Sequence, residues 1–198
     1  MPDPRLQKLR YAPAPHVCHL PAIMRTFDQV DGELKQILRD LGAGLRPWPL
    51  FLRGLAGVGK TCAALCLADF ISASQYFTES ELCERMRAAS MRRLHDRYGE
   101  PISLDYAWRQ WANVELAILD EVGAPTRPSD HHREVIQKAL DLRCHRPAIF
   151  ISNHSGKAIL AGYHDRIISR LAAGTRYELI GPDRRVMGGY NAREDANG

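Results

Sequence analysis

Apolar residues recur along this chain in two rhythms. Between Gly32 and Leu41 they fall at Leu34, Ile37, Leu38 and Leu41, the spacing that lines one face of a helix. Gly42, Gly44 and Pro47 then end the stretch. Pro49–Leu52 is a short unbroken apolar run and predicts a buried strand, and Thr61–Phe70, rich in Ala and Leu, predicts a helix. Gln75–Thr78 predicts a second strand, with Thr78 as N-cap of the next helix and Glu81 completing a capping box. That helix is expected over Glu79–Tyr98, with Leu82, Met86, Ala89 and Leu94 inward and Arg85, Arg87, Arg92, Arg93 and Arg97 on its other faces. Gly99-Glu100-Pro101 breaks it.

The second half repeats the alternation. A short helix around Trp108 and Trp111 leads into Val114–Leu119, a near-continuous apolar run typical of a strand covered on both faces. A loop marked by Pro125 and Pro128 precedes a helix over Asp130–Arg143, and Pro147–Asn153 is another buried strand with a polar end. Short helices are expected over Ser155–Ala161 and His164–Ala173, and a last strand over Arg176–Ile180. Strands alternating with helices predict an α/β fold: a parallel sheet flanked by helices. In such sheets the chemistry sits at the carboxyl ends of the strands.

Three polar sets fall at those ends. Gly54-Leu55-Ala56-Gly57-Val58-Gly59-Lys60-Thr61 fits the phosphate-loop pattern G-x-x-x-x-G-K-[ST] at every fixed position, between a strand and a helix. Its glycines let backbone N–H groups turn toward phosphates, Lys60 reaches the β- and γ-phosphates, and the Thr61 hydroxyl coordinates Mg²⁺. Gly54, Gly57, Val58, Gly59, Lys60, Thr61 and the following Cys62 are thus the expected ATP-binding run. Asp120 closes the apolar strand and is placed to hold Mg²⁺ with Thr61. Glu121 is suited to polarise an attacking water, which favours hydrolysis over transfer to another substrate. Asn153 ends the strand after that and suits orienting the same water, although Asn is also an ordinary turn residue. Arg166 and Arg170 are four apart on one helical face. Such a face is either a plain solvated one or the source of an arginine finger for a neighbouring subunit.

The order Thr26-Phe27-Asp28, Gly54 to Thr61, Leu119-Asp120-Glu121, Ile151-Ser152-Asn153 and Ser169-Arg170-Leu171 resembles the DnaC-type helicase loaders. The IstB-type transposition ATPases and the initiator DnaA are relatives, and all are AAA+ proteins. The resemblance covers Thr26 to about Arg185. It implies a P-loop NTPase fold with an incomplete or absent C-terminal lid. It assigns Lys60 and Thr61 to Walker A, Asp120 and Glu121 to Walker B, Asn153 to sensor 1 and Arg170 to the trans-acting finger. A late arginine senses nucleotide in that family, and Arg185 fits, with Arg184 beside it. The implied partners are single-stranded DNA, a hexameric replicative helicase and further copies of the chain. An IstB-like transposase accessory ATPase, a small P-loop kinase and an adaptor with little turnover are the competing readings.

Composition changes this picture little. The 198 residues carry 45% apolar and 25% charged side chains and a net charge of +4, which permits nucleic-acid contact without requiring it. Of the 27 basic residues only Lys8, Lys35, Lys60, Lys138 and Lys157 are lysine. Arg92, Arg93 and Arg97 are the densest basic cluster and the expected DNA contacts, against a plain solvated face paired with Glu84, Asp96 and Glu100. Trp108 and Trp111 fit core packing better than base stacking. Five scattered cysteines and no long apolar run point to a cytoplasmic chain with free thiols. Residues 1–25 are proline-rich and expected as an arm, 26–187 as the ATPase domain and 188–198 as a polar tail. His16-Val17-Cys18-His19 lacks the second ligand pair of a zinc site.

Overall fold

The computed structural model describes residues 27–71, 73–96, 98–125, 127–154, 163 and 165–184. After a 3-10 turn at Phe27–Gln29, the elements run α1 (Gly32–Gly42), β1 (Leu50–Arg53), α2 (Lys60–Ala68), β2 (Ser74–Thr78), α3 (Glu79–Ser90) and α4 (Leu104–Asn113). They continue as β3 (Leu116–Asp120), α5 (Asp130–Arg143), β4 (Ala148–Ser152), α6 (Asp165–Ala172) and β5 (Thr175–Glu178). The five strands form one parallel sheet in the order β2-β3-β4-β1-β5.

Alternation along the strands divides the core. Leu50 and Leu52, Leu116 and Ile118, and Ile149 and Ile151 pack against α1 and α2. Phe51, Leu119 and Phe150 face the other way, against α3, α4, α5 and α6. Because both faces are covered, these strands read as continuous apolar runs. Trp108 and Trp111 are buried in the second layer, and the Trp111 indole N–H donates to the Ala139 carbonyl at 3.1 Å. They are core residues.

The capping box at Thr78 forms as the spacing predicts: the Thr78 hydroxyl accepts from Glu81 N, and Glu81 Oε2 accepts from Thr78 N. The helix it opens is shorter than its pattern suggests. It ends at Ser90, and Arg92 takes a left-handed backbone with φ 55°. The Asp96 carboxylate captures the N–H groups of Tyr98 and Glu100, and Ile102 N donates to Leu94 O at 2.7 Å. These bonds fold the segment into a tight turn-back, so Arg92 and Arg93 are exposed beyond the helix rather than on it. Leu94 packs against the core from this loop. Arg97 lies outside the described residues.

Strand β3 starts at Leu116 rather than Val114 because α4 runs on to Asn113 and its last carbonyls are taken elsewhere. Arg143, buried at the end of α5, donates to the carbonyls of Ala112 at 3.0 Å, Val114 at 2.9 Å and Pro147. Burial pulls its pKa down to about 10. The proposed arm and tail, His16–His19, Thr26 and the helix expected over Ser155–Ala161 all lie outside the described residues. No described helix is long and apolar enough to cross a membrane.

Candidate nucleotide site

Strand order puts β4 between β1 and β3. The loop after β1, the acids after β3 and the polar end of β4 therefore share one edge of the sheet. The loop needs its glycines. Gly54 has φ 151°, and a Cβ there would stand 2.2 Å from the Leu179 carbonyl oxygen. Gly57 has φ 77°, and a Cβ there would stand 1.8 Å from an Asp183 carboxylate oxygen. Gly59, left-handed at φ 104°, is the N-cap of α2 and brings no side chain to the first-turn N–H groups, the arrangement that leaves such groups for an anion. Val58 is buried in the core beneath, and Cys62 is half-buried in the first turn of α2.

Lys60 is buried, and its ammonium donates to the Gly54 carbonyl at 2.8 Å and the Leu55 carbonyl at 2.6 Å. The Thr61 hydroxyl donates to Asp120 Oδ2 at 2.6 Å. These two residues, 59 apart in sequence, thus meet in one hydrogen bond. Asp120 is buried, and its other oxygen accepts from the Glu121 N–H at 2.7 Å. A hydroxyl and a buried carboxylate, both oxygen donors, suit a hard divalent cation, so the residues present fit Mg²⁺.

Tyr76 was not signalled by any motif. Its hydroxyl donates to Asp120 Oδ2 at 3.0 Å across the β2–β3 pair. Burial, and then the Asp120 charge, push the Tyr76 pKa upward, so it remains a donor. Glu121 follows in the left-handed region, φ 60°, with its side chain exposed at the sheet edge. The turn it starts is pinned from β4: Val122 N donates to Ile151 O at 2.8 Å, and the buried Ser152 hydroxyl donates to Val122 O at 2.6 Å. Ser152 also accepts from His154 N at 3.0 Å. In the Ser-Asn pair the serine holds backbone, while Asn153 stands exposed at the end of β4.

Arg170 is on α6, and its Nε donates to Asp141 Oδ1 of α5 at 2.7 Å; Arg166 lies 3.5 Å from the same carboxylate. Asp141 bonding holds the Arg170 pKa above its ordinary value. Within one chain Arg170 is thus engaged on α5 rather than gathered with Lys60, Thr61 and Asp120. Arg184 N donates to Gly57 O at 3.0 Å, and its guanidinium lies beside Gly59. Arg185 lies outside the described residues.

No family profile and no curated protein matches the sequence. Solved structures do. A DNA replication initiation factor matches with a TM-score of 0.66 at 16% identity, over 82% of this chain and 52% of that one. The replication initiator DnaA bound to AMPPCP and single-stranded DNA matches with a TM-score of 0.65 at 15% identity, over 82% and 50%. DnaI matches with a TM-score of 0.60 at 22% identity, over 81% of this chain and 90% of its own. The chain spans about half the length of the first two. These likenesses show that the chain shares the fold of those proteins, a parallel sheet flanked by helices, here with the phosphate loop after its first strand.

Proposed function

We propose that this chain is an ATP-hydrolysing protein of DNA replication. In this reading it binds single-stranded DNA, assembles with copies of itself and helps load a hexameric replicative helicase in the cytoplasm. The observation that carries the reading is the convergence of Lys60, Thr61 and Asp120 on one strand edge, with the Thr61–Asp120 bond at its centre. Lys60 and the loop N–H groups bind the ATP phosphates. Thr61 and Asp120 hold Mg²⁺, which when bound neutralises charge on the phosphates. Glu121 takes the proton of the attacking water and Asn153 orients that water. Arg170 leaves Asp141 to reach a neighbouring subunit's nucleotide. Arg184, which already lies against the loop, serves as the nucleotide-sensing arginine, with Arg185 next to it.

Support for the replication role comes from the neighbours. One is DnaA, solved with a nucleotide analogue and single-stranded DNA. Another is DnaI, whose chain is covered over 90% of its length. The exposed Arg92 and Arg93, with Arg97, are the proposed DNA contacts. The test is phosphate release by the full chain with and without Mg²⁺ and single-stranded DNA. Mg²⁺-dependent hydrolysis that DNA stimulates, and that Glu121→Gln slows by about 10²–10⁴-fold, is the expected result. ATP binding without turnover would favour an adaptor, and transfer to a small acceptor would favour a kinase.

A further inference from the structure

Glu79 is the first residue of α3, and none of it is exposed. A carboxylate without water contact is costly unless hydrogen bonds replace the water. Glu79 has two such bonds. Its Oε2 accepts from the Gly123 N–H at 2.8 Å, and its Oε1 accepts from the Tyr163 hydroxyl. Gly123 belongs to the turn that begins at Glu121, with φ 60° at Glu121 and φ 87° at Gly123. On its far side that turn is held by Ile151 and Ser152 of β4. Glu79 supplies the opposite clamp. Tyr163 stands two residues before α6, the helix that carries Arg166 and Arg170. One buried carboxylate therefore bonds the turn bearing the proposed water-activating acid and the approach to the helix bearing the proposed finger.

We propose that Glu79 is a positioning residue for hydrolysis: through Gly123 it sets the aim of Glu121, and through Tyr163 it makes that aim depend on where α6 sits. This rests on the ATPase reading above. A finger helix that shifts when it meets a neighbouring subunit would tug Tyr163 and, by way of Glu79, reset the acid.

Tyr163→Phe removes one hydroxyl and keeps the ring in the core, so it is the variant that reads the proposal. Steady-state hydrolysis by the full chain should lose about tenfold in kcat, the kinetic equivalent of one lost hydrogen bond, with KM and ADP affinity unchanged. Glu79→Gln, which keeps an acceptor for Gly123 and a partner for Tyr163, should retain most of the rate, whereas Glu79→Ala should lose it. Hydrogen exchange supplies a readout independent of turnover: the amides of 121–124 should exchange faster in Tyr163→Phe while the β4 amides stay unchanged. Faster exchange at 121–124 in Tyr163→Phe, together with a wild type that hydrolyses no ATP, would leave the clamp standing and remove the ATPase reading. Unchanged exchange at 121–124, or unchanged kcat in an active enzyme, would overturn the proposal.

Discussion

Lys60 and Glu121 make opposite demands on a substitution. Lys60 is buried, charged and bonded within the loop, so Lys60→Ala removes the charge that the phosphates would meet. A charge-assisted contact is worth up to ~3 kcal/mol, so ATP affinity should fall by about two orders of magnitude in calorimetric titration. Glu121 is exposed, and among the described residues its side chain anchors nothing. Glu121→Gln should therefore bind ATP normally but slow hydrolysis by about 10²–10⁴-fold, the range of a general base. Ser152 is a different case, because it holds backbone. Ser152→Ala leaves the Val122 carbonyl and the His154 N–H short of a partner and should cost ~1–3 kcal/mol in urea unfolding. Glu79 carries a pH signature. Burial, as the leading cause, raises its pKa above the ordinary 4.5, against the lowering by Tyr163 and Gly123. The folded state thus binds a proton that the unfolded state has lost, and Glu79's contribution to stability falls as pH rises from 4.5 through the folded pKa. The difference in stability between wild type and Glu79→Gln should show that decline across this window, and a flat difference would contradict it.

The elements were legible where one interaction set them. Strands β1, β3 and β4 announced themselves as apolar runs because helices cover both faces. The phosphate loop was legible because its chemistry demands fixed residues at fixed spacing. The end of α3 was not legible. Its apolar spacing continues to Leu94, and only the left-handed Arg92 and the Asp96 carboxylate, through bonds to Tyr98 and Glu100, turn the chain aside. Tyr76 and Glu79 were illegible as site residues for another reason. They reach Asp120 and Gly123 over 44 positions each, so no local pattern marks them. The start of α3 offers a test at this scale. Thr78→Ala breaks the capping box and should lower stability by about 1 kcal/mol in thermal unfolding, with little effect on ATP affinity.

In the whole molecule the nucleotide loop and the proposed finger stand on different elements: the loop follows β1, while Arg170, on α6, is bonded to Asp141 on α5. A finger acting on a neighbour makes the active unit an assembly. Arg170→Ala should then bind ATP and fail to hydrolyse it, yet regain turnover when mixed with Lys60→Ala, whose intact finger can serve the other chain's nucleotide. Absence of that rescue would remove the trans role. The most direct test of the central proposal is light scattering after size exclusion, with the full chain, the replicative helicase of its host and a slowly hydrolysed ATP analogue. The expected result is a stable complex that forms with the analogue and is lost with Lys60→Ala. Failure to form any complex, with nucleotide bound and the chain assembled on single-stranded DNA, would contradict the loader role.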